Sequence, residues 1–222
     1  VSLSWYLENV FYYSVSNIFK YVKTNIFENK YDHYNLISIG FWPGGDRDGN
    51  PYVTTEITSK TAKKLRSNII KNYYRDIRAL RRKLTFKKIE DVIIEIEDSL
   101  WMSIFETNKE PKIKLESLKE KLNFIKETLI NEHKSLFLNE LQDLIDKVNI
   151  FGYHFATLDI RQDSAIHSEV FSEIINNYFQ KELVSNFDSL TEDKKILSLS
   201  SLKGTIKSSK FENEIAKSTI ES

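Results

Sequence analysis

Glycine and proline, the residues that most often interrupt regular structure, are scarce in this chain: its 222 residues include six glycines and three prolines. All-β sandwiches and barrels need many turns, and therefore many of these residues. The scarcity predicts a mainly helical protein with long uninterrupted elements. Hydrophobic residues make up 41% of the chain and charged residues 29%, a composition that can form a core and excludes a largely disordered chain.

Apolar residues recur every three or four positions along most of the chain, which is the spacing of the buried face of an α-helix. The pattern predicts helices over residues 3–22, 58–84, 89–104, 112–148 and 165–179. Thr85 is the expected cap of the third helix, and Asp163 or Ser164 that of the last, because short polar side chains accept hydrogen bonds from unpaired helical N–H groups. The stretch after Pro111 is either one long helix or two helices with a break near His133.

The two longest helical segments carry complementary charge. We expect residues 58–108 and 112–148 to pack antiparallel as an elongated bundle. This helical hairpin, 58–150, divides the chain. Residues 1–57 contain the first helix, a strand and a Gly-rich loop, and residues 151–222 contain a second strand and the helices that follow it.

Two short apolar runs, Ile37–Phe41 and Phe155–Ile160, are predicted to be strands, the second of them opened by Gly152. Two lone strands leave unpaired backbone groups unless they belong to a sheet that is completed elsewhere. The polar stretch 24–34 is predicted to be a loop. The Ser- and Lys-rich stretch 181–210 is the least ordered part of the chain by composition.

A run of positive charge covers residues 60–88, which contain twelve Lys or Arg and one acidic residue. Clustered cations of this kind bind nucleic acid by releasing counterions from it. The next segment, 89–132, contains eleven acidic residues against six basic ones. Because the net charge of the chain is zero, we favour the interpretation that the basic helix faces this acidic neighbour, and we expect no nucleic-acid partner.

Cysteine is absent, which excludes disulfides, thiolate nucleophiles and Cys-based zinc sites. The longest uncharged run near the start, Asn9–Phe19, is too short for a membrane span of about 20 residues, so we expect no membrane partner. The chain begins at Val1 rather than Met and ends at Ser222 within a helical pattern. We therefore expect the whole of it to be one internal part of a longer protein.

The segment 44–51, with the sequence Gly-Gly-Asp-Arg-Asp-Gly-Asn-Pro, contains three of the six glycines. Glycine lets a backbone approach a ligand closely, and Asp46, Arg47 and Asp48 place both signs of charge in the turn. One interpretation is a structural loop whose Asx side chains bond local amides. The combination of features favours the other interpretation, a ligand-binding loop. Its spacing excludes a dinucleotide fingerprint, a P-loop and a calcium loop.

A second polar segment, 158–164, follows the second predicted strand and leads into a helix. Arg161 lies at this strand-to-helix junction, where α/β barrels present ligand-binding side chains. Its guanidinium group suits bidentate binding of a phosphate or a carboxylate. An ion pair with Asp159 or Asp163 explains the residue equally well, and the sequence leaves both interpretations open.

These two segments resemble the signatures of phosphoenolpyruvate carboxylases. Residues 41–54 read Phe-Trp-Pro-Gly-Gly-Asp-Arg-Asp-Gly-Asn-Pro-Tyr-Val-Thr and closely resemble the Gly-Gly-Asp-Arg-Asp-Gly-Asn-Pro motif of that family. The run Leu-Asp-Ile-Arg-Gln-Asp-Ser at 158–164, with Phe151-Gly152 before it and His167 after it, is similar to a second family motif. The chain resembles one internal part of the enzyme, about a quarter of the family's length.

The resemblance implies a mainly helical fold around an eight-stranded parallel α/β barrel, to which the two predicted strands would contribute as part of an incomplete barrel. It implies an enzyme, a carboxy-lyase, that joins bicarbonate to phosphoenolpyruvate and gives oxaloacetate and phosphate. The expected cofactor of the full-length enzyme is Mg²⁺ or Mn²⁺. The full-length protein is expected to be a cytoplasmic homo-oligomer, a tetramer.

The resemblance also implies roles for four residues. Arg161 is expected to hold the substrate phosphate, and Trp42 to line the apolar pocket around the methylene carbon. Arg47 and Asp48 are expected to act beside this pocket, either directly or by positioning other groups. These assignments give Arg47, Asp48 and Arg161 as catalytic residues, and Trp42 and Arg161 as substrate-binding residues.

Three features of the family have no counterpart in this chain. No histidine precedes a proline, as the family's essential histidine does, and no Gly-Arg-Gly-Gly loop is present. The family's metal ligands lie in later segments, so no metal ligand is assigned here and no bound cofactor is expected. Without groups for proton transfer and metal binding, the chain alone is expected to be inactive.

Two other functions remain as alternatives to part of a carboxylase. The first is a stand-alone helical interaction module that merely preserves these motifs. The second, less favoured, is a nucleic-acid binder that uses the basic helix at 60–88.

Overall fold

The computed structural model describes residues 3–28, 30, 34–48, 50, 52–106, 109–178, 187–201 and 203–221. It divides into two compact units. We call Val1–Phe41 together with Lys60–Leu158 the bundle unit, and Trp42–Ser59 together with Asp159–Ser222 the motif unit. The predicted mainly helical fold class is confirmed.

The elements of the bundle unit follow the predicted order. They are α1 (Leu3–Tyr6), a π-helical segment (Leu7–Phe11), α2 (Tyr12–Asn25), β1 (Gly40–Phe41), most of α3 (Thr55–Arg81), α4 (Ile89–Phe105), α5 (Leu115–Glu132), α6 (Leu138–Phe151) and β2 (Thr157–Leu158). Their apolar stripes meet in one core, whose fully buried members include Ile69, Tyr73, Ile96, Leu100 and Ile125. The stretch after Pro111 forms two helices, with the break at the predicted place.

Ion pairs between neighbouring helices show the direction of each helix relative to the next. Arg81 of α3 pairs with Glu97 of α4 at 2.8 Å, and Arg66 of α3 pairs with Glu110, which follows α4, at 3.7 Å. Glu95 of α4 pairs with Lys121 of α5 at 2.6 Å, and Lys88, which precedes α4, pairs with Glu132 at the end of α5 at 2.7 Å. In each set, residue numbers rise along one helix as they fall along its partner. The expected antiparallel packing is therefore confirmed for α4 against α5. Several cations of the 60–88 stretch do face acidic neighbours, as the charge pattern indicated.

The predicted cap of α4 is wrong. Lys88, not Thr85, precedes the helix, with φ at 74° and no side-chain capping hydrogen bond. The N–H groups of Ile89 and Glu90 instead donate to the carbonyl oxygen of Phe86 at 3.1 and 3.0 Å. A backbone turn thus satisfies donors at the start of the helix, and no Thr hydroxyl is needed there.

The two predicted strands pair with each other in parallel, Gly40 with Thr157 and Phe41 with Leu158. Both are shorter than the sequence indicated. On the second strand the left-handed φ of 66° at Phe155 prevents an earlier start. Whether these strands belong to a larger barrel stays a prediction.

The motif unit contains the start of α3, α7 (Ser164–Tyr178), α8 (Glu192–Ser201), α9 (Glu214–Glu221) and two 3₁₀ turns (Phe187–Ser189 and Ser208–Lys210). Its small buried cluster is Val170, Phe211 and Ala216. Asp163 is the cap of α7, because its carboxylate accepts the N–H of Ala165 at 2.7 Å. The stretch 181–210, which composition gave as the least ordered, contains the helix α8. Residues 181–186 of this stretch lie outside the described part of the chain.

Candidate functional site

The two sequence motifs lie side by side in the motif unit. Asp46 and Arg161 form a parallel β-bridge. The N–H of Arg47 donates to the carbonyl oxygen of Arg161 at 2.9 Å, and the N–H of Arg161 donates to that of Gly45 at 3.0 Å. Backbone hydrogen bonds therefore join the Gly-rich loop, which follows β1, to the segment that follows β2.

The loop opens with a tight turn whose geometry explains its first glycine. The N–H groups of Gly45 and Asp46 both donate to the carbonyl oxygen of Trp42, each at 3.0 Å. Gly44 adopts a φ of 85°, a left-handed value that residues with a Cβ rarely reach. Gly45 is buried between its neighbours. The turn directs the chain so that Asp46 reaches Arg161.

Asx side chains support the rest of the loop, as the structural interpretation of the sequence expected. The carboxylate of Asp46 accepts the N–H of Asp48 at 3.4 Å, and the side-chain oxygen of Asn50 accepts the N–H of Tyr52 at 3.1 Å. The side chain of Asp48 itself is exposed. Local bonding thus accounts for Asp46 and Asn50, while Asp48 presents its carboxylate to solvent.

The side chain of Arg47 is bound within the motif unit. Its Nε donates to the carbonyl oxygen of Val53 at 3.0 Å, and its Nη1 donates to the carbonyl oxygen of Ser218 at 3.1 Å. Its Nη2 also contacts the hydroxyl of Ser218. The hydroxyl of Thr55 donates to the same Ser218 carbonyl oxygen at 3.0 Å. The guanidinium group therefore ties the loop to α9.

Arg161 and Trp42 are more accessible. The side chain of Arg161 is 56% exposed, and its Nη2 donates to the carboxylate of Asp159 at 2.9 Å. The ion-pair interpretation therefore has its partner in Asp159, whereas Asp163 caps a helix. Trp42 is 54% exposed. A solvent-exposed ion pair contributes little to stability, so an anionic ligand can replace Asp159 at Arg161 at small cost.

Sequence reasoning missed Ser218 and Thr55. Ser218 lies 171 positions from Arg47, and no spacing or composition signal connects the two. His167, which the second motif includes, is exposed on α7. Its backbone N–H donates to the carbonyl oxygen of Asp163 at 3.1 Å.

The bundle unit contains a cavity of about 200 Å³. Its charged lining is Asp76, Lys83, Glu140, Asp143 and Lys147. These groups are paired: Lys83 with Glu140 at 3.0 Å, Lys147 with Asp76 at 2.8 Å, and Asp143 with Lys20 at 2.9 Å. Asp76 also accepts the hydroxyl of Tyr12, whose pKa is raised well above its ordinary value, first by burial and then by this carboxylate. The lining therefore serves the packing of the bundle.

Within the described ranges, no group of three or more His, Asp or Glu side chains could hold a metal ion. Over the same residues, no helix has the length and apolar character needed to cross a membrane.

Comparison with known proteins identifies relatives of this chain. The sequence model of a family described as phosphoenolpyruvate carboxylase matches two overlapping stretches, residues 3–114 and 95–213. A phosphoenolpyruvate carboxylase of Shewanella loihica is 28% identical over 166 residues, which cover 62% of this chain and 19% of that protein. That of Thermosynechococcus vestitus is 29% identical over 191 residues, covering 64% and 19%. That of Trichormus variabilis is 27% identical over 207 residues, covering 73% and 20%. The chain thus spans about one fifth of the length of these curated relatives.

Proposed function

Because this chain belongs to the phosphoenolpyruvate carboxylase family, we propose that it forms part of the substrate pocket of an enzyme that joins bicarbonate to phosphoenolpyruvate. The products are oxaloacetate and phosphate. The observation that supports this most is the backbone pairing that holds Asp46 against Arg161. Through it, the backbones of the two motifs that resemble the family's signatures lie side by side.

In the proposed reaction, an oxygen of bicarbonate attacks the phosphorus, and the bond from phosphorus to the enol oxygen breaks. The carboxyphosphate that forms releases CO₂ and phosphate. The enolate left by the first step attacks CO₂ through its methylene carbon. Negative charge shifts among the phosphate oxygens and the enolate oxygen during these steps, so cationic hydrogen-bond donors placed beside them stabilise the transition states.

Arg161 is suited to be one of these donors. Its guanidinium group can make two parallel hydrogen bonds to a phosphate, and its exposure allows a phosphate dianion to replace Asp159. The exposed ring of Trp42 offers an apolar surface for the methylene carbon. Arg47 and Asp48 lie in the loop whose backbone is hydrogen-bonded to Arg161. Their proposed role is beside the pocket, either directly or by positioning other groups.

We propose that the metal ligands of the enzyme come from outside this chain. A divalent cation, Mg²⁺ or Mn²⁺, would supply charge neutralisation for phosphoryl transfer. The described residues do not offer a ligand set for it. We therefore assign no metal ligand and no metal-dependent step to these residues, and we propose that the chain alone is inactive.

We also propose the cellular location, the assembly and the substrates of the enzyme. The resemblance to the family supports a cytoplasmic enzyme that assembles as a homotetramer and acts on phosphoenolpyruvate and bicarbonate. The ion pairs of Arg66, Arg81 and Lys88 support an internal role for the basic helix rather than a nucleic-acid interface.

A pair of activity measurements tests the proposed function. With Mg²⁺, bicarbonate and phosphoenolpyruvate, the 222-residue chain should form no oxaloacetate above a buffer control, whereas the longer polypeptide that we propose should form it. A longer polypeptide without activity would favour the alternative of a helical interaction module.

Substitution of Arg161 tests its role within that polypeptide. Arg161→Lys keeps the charge and removes the planar fork, so kcat/KM should fall by roughly 30- to 1000-fold, about 2–4 kcal/mol of transition-state stabilisation. Arg66→Lys, which alters an arginine of the bundle unit that pairs with Glu110, is the control and should leave kcat/KM within about threefold. If Arg161 serves only its ion pair with Asp159, both variants should behave alike.

A further inference from the structure

Ser218 lies on α9, and its backbone carbonyl oxygen and hydroxyl both contact the guanidinium group of Arg47. The carbonyl oxygen also accepts the hydroxyl of Thr55 at 3.0 Å. Ser218 is therefore the point at which the Gly-rich loop, the start of α3 and α9 meet within the motif unit. Neither sequence motif includes Ser218.

The contact follows from the chemistry of a helix end. Ser218 lies in the last turn of α9, which ends at Glu221. The partial negative charge at a helix C-terminus favours a cation there. Arg47 supplies that cation, and Thr55 supplies a second donor. The arrangement connects α9 to the loop through Arg47 and to the start of α3 through Thr55.

A further hydrogen bond of the same guanidinium group lies within the loop itself. The Nε of Arg47 donates to the carbonyl oxygen of Val53, six residues further along the loop. The backbone N–H of Arg47 donates to the carbonyl oxygen of Arg161. Arg47 is thus bound through its backbone to the substrate-binding segment, and through its side chain to the loop and to α9.

We propose that Ser218 is a positioning residue, which holds Arg47 and thereby keeps the loop with Trp42 and Asp48 in register with Arg161. In this arrangement the side-chain contacts of Arg47 with Ser218 and Val53, called the tie below, connect the loop to α9. Arg47 is then not a ligand of the substrate. The inference rests on the proposed function for its catalytic consequence, whereas the tie itself is a property of the chain.

Amide hydrogen exchange on the 222-residue chain tests the tie without any assumption about activity. Ser218→Ala removes the hydroxyl contact, and Arg47→Ala removes all side-chain contacts of the tie. We expect the amides of Asp46 and Arg47 to exchange about tenfold faster in Ser218→Ala, because a hydrogen bond to a charged group is lost. The double variant should exchange no faster than Arg47→Ala, since both changes break one connection.

Ser208→Ala is the matched control. The hydroxyl of Ser208 donates to the carboxylate of Glu221 at 2.8 Å, so this variant also alters a contact of α9 but not one with the loop. Exchange at Asp46 and Arg47 should stay within about twofold in the control. The proposal is overturned if Ser218→Ala also stays within twofold. It is equally overturned if exchange in α7 rises as much as in the loop, because the effect would then be a general loss of stability.

Steady-state kinetics on the longer polypeptide separate the catalytic consequence from the tie. If Ser218 positions the loop, Ser218→Ala should lower kcat about tenfold while KM for phosphoenolpyruvate changes by less than about threefold. If Arg47 instead binds the substrate, Arg47→Ala should raise KM strongly and Ser218→Ala should not, which would overturn the proposal. A wild-type polypeptide without carboxylase activity would refute the proposed function, while the exchange result would still decide the tie.

Discussion

The bundle unit and the motif unit differ in what holds them together. Among the described residues, the buried apolar cluster of the bundle unit contains 26 side chains and that of the motif unit contains three, so hydrophobic burial dominates only in the first. The motif unit depends more on specific hydrogen bonds, such as those of Arg47 to Ser218 and of Asp163 to the start of α7. The stability of the bundle unit should therefore depend mainly on buried groups, whereas the geometry of the candidate site should depend on a few individual hydrogen bonds.

The largest expected effect comes from the core of the bundle unit. Leu100 on α4 is 0% exposed, so Leu100→Ala should lower the free energy of unfolding by about 3–4 kcal/mol through lost burial and a residual cavity. Urea unfolding followed by circular dichroism measures this. Met102→Ala, on the same helix at 50% exposure, is the control and should change the free energy by less than about 0.5 kcal/mol. Equal effects of the two variants would contradict the role given to the core.

The next effect contrasts the ion pairs of the two units. In the bundle unit, Asp76 accepts Lys147 and Tyr12, each at 2.8 Å. Asp76→Asn leaves the buried ammonium group without its counter-charge and should cost about 2–3 kcal/mol. Asp159→Asn, which breaks the exposed pair with Arg161, should cost less than about 0.5 kcal/mol.

A double variant separates charge from packing in the bundle unit. Because Asp76→Leu with Lys147→Met removes both charges, it should be more stable than Asp76→Asn in the same urea titration. A double variant that is the less stable of the two would show that the polar network itself supports the bundle.

Substitutions at backbone positions with a left-handed φ should change stability by a smaller amount, and in opposite directions in the two units. The turn between α5 and α6 places Ser135 at a φ of 59°, whereas the motif unit uses a glycine at its comparable position, Gly44. Ser135→Gly should relieve strain and raise the thermal midpoint slightly, by the equivalent of about 0.5 kcal/mol. Gly44→Ala should destabilise the loop by about 1 kcal/mol. Asn123→Gly, in the middle of α5, is the control and should lower the midpoint.

The smallest effect is on the pH dependence of stability. Hydrogen bonds from Lys88 and Lys83 hold the pKa of Glu132 and Glu140 below the ordinary value of 4.5. A lowered folded-state pKa stabilises the fold above the ordinary value, and this contribution is lost as pH falls through the lower one. In the motif unit, the hydrogen bond to Glu214 raises the pKa of Lys217 above 10.5, so its contribution is lost only as pH rises beyond that value.

Melting curves as a function of pH measure both contributions. Lys88→Met should flatten the acid limb for the bundle unit, and high salt should do the same, because both ion pairs are exposed. An acid limb that is identical in Lys88→Met and in the wild type would show that the pair with Glu132 contributes nothing to stability.

Helices were the most predictable part of this protein because their signal is local. The period of apolar residues placed α3 to α7 within a few residues of their observed bounds, and it indicated the break near His133. The cap of α4 was wrong because a backbone turn at Phe86 replaced the side-chain cap that Thr85 would have provided. A cap depends on the path of the chain before the helix, which periodicity does not report.

Short windows of the sequence were enough to place the helices as far as α7 and to identify the two segments that carry the polar residues of the candidate site, whereas α8 lies in the stretch that composition gave as the least ordered. The tertiary structure alone decided that these segments pair through Asp46 and Arg161, that Asp159 rather than Asp163 is the partner of Arg161, and that Arg47 reaches Ser218. Such contacts join residues far apart in the chain, and they depend on how the elements are packed. Only the folded chain brings a helix end on α9 to an arginine 171 residues away.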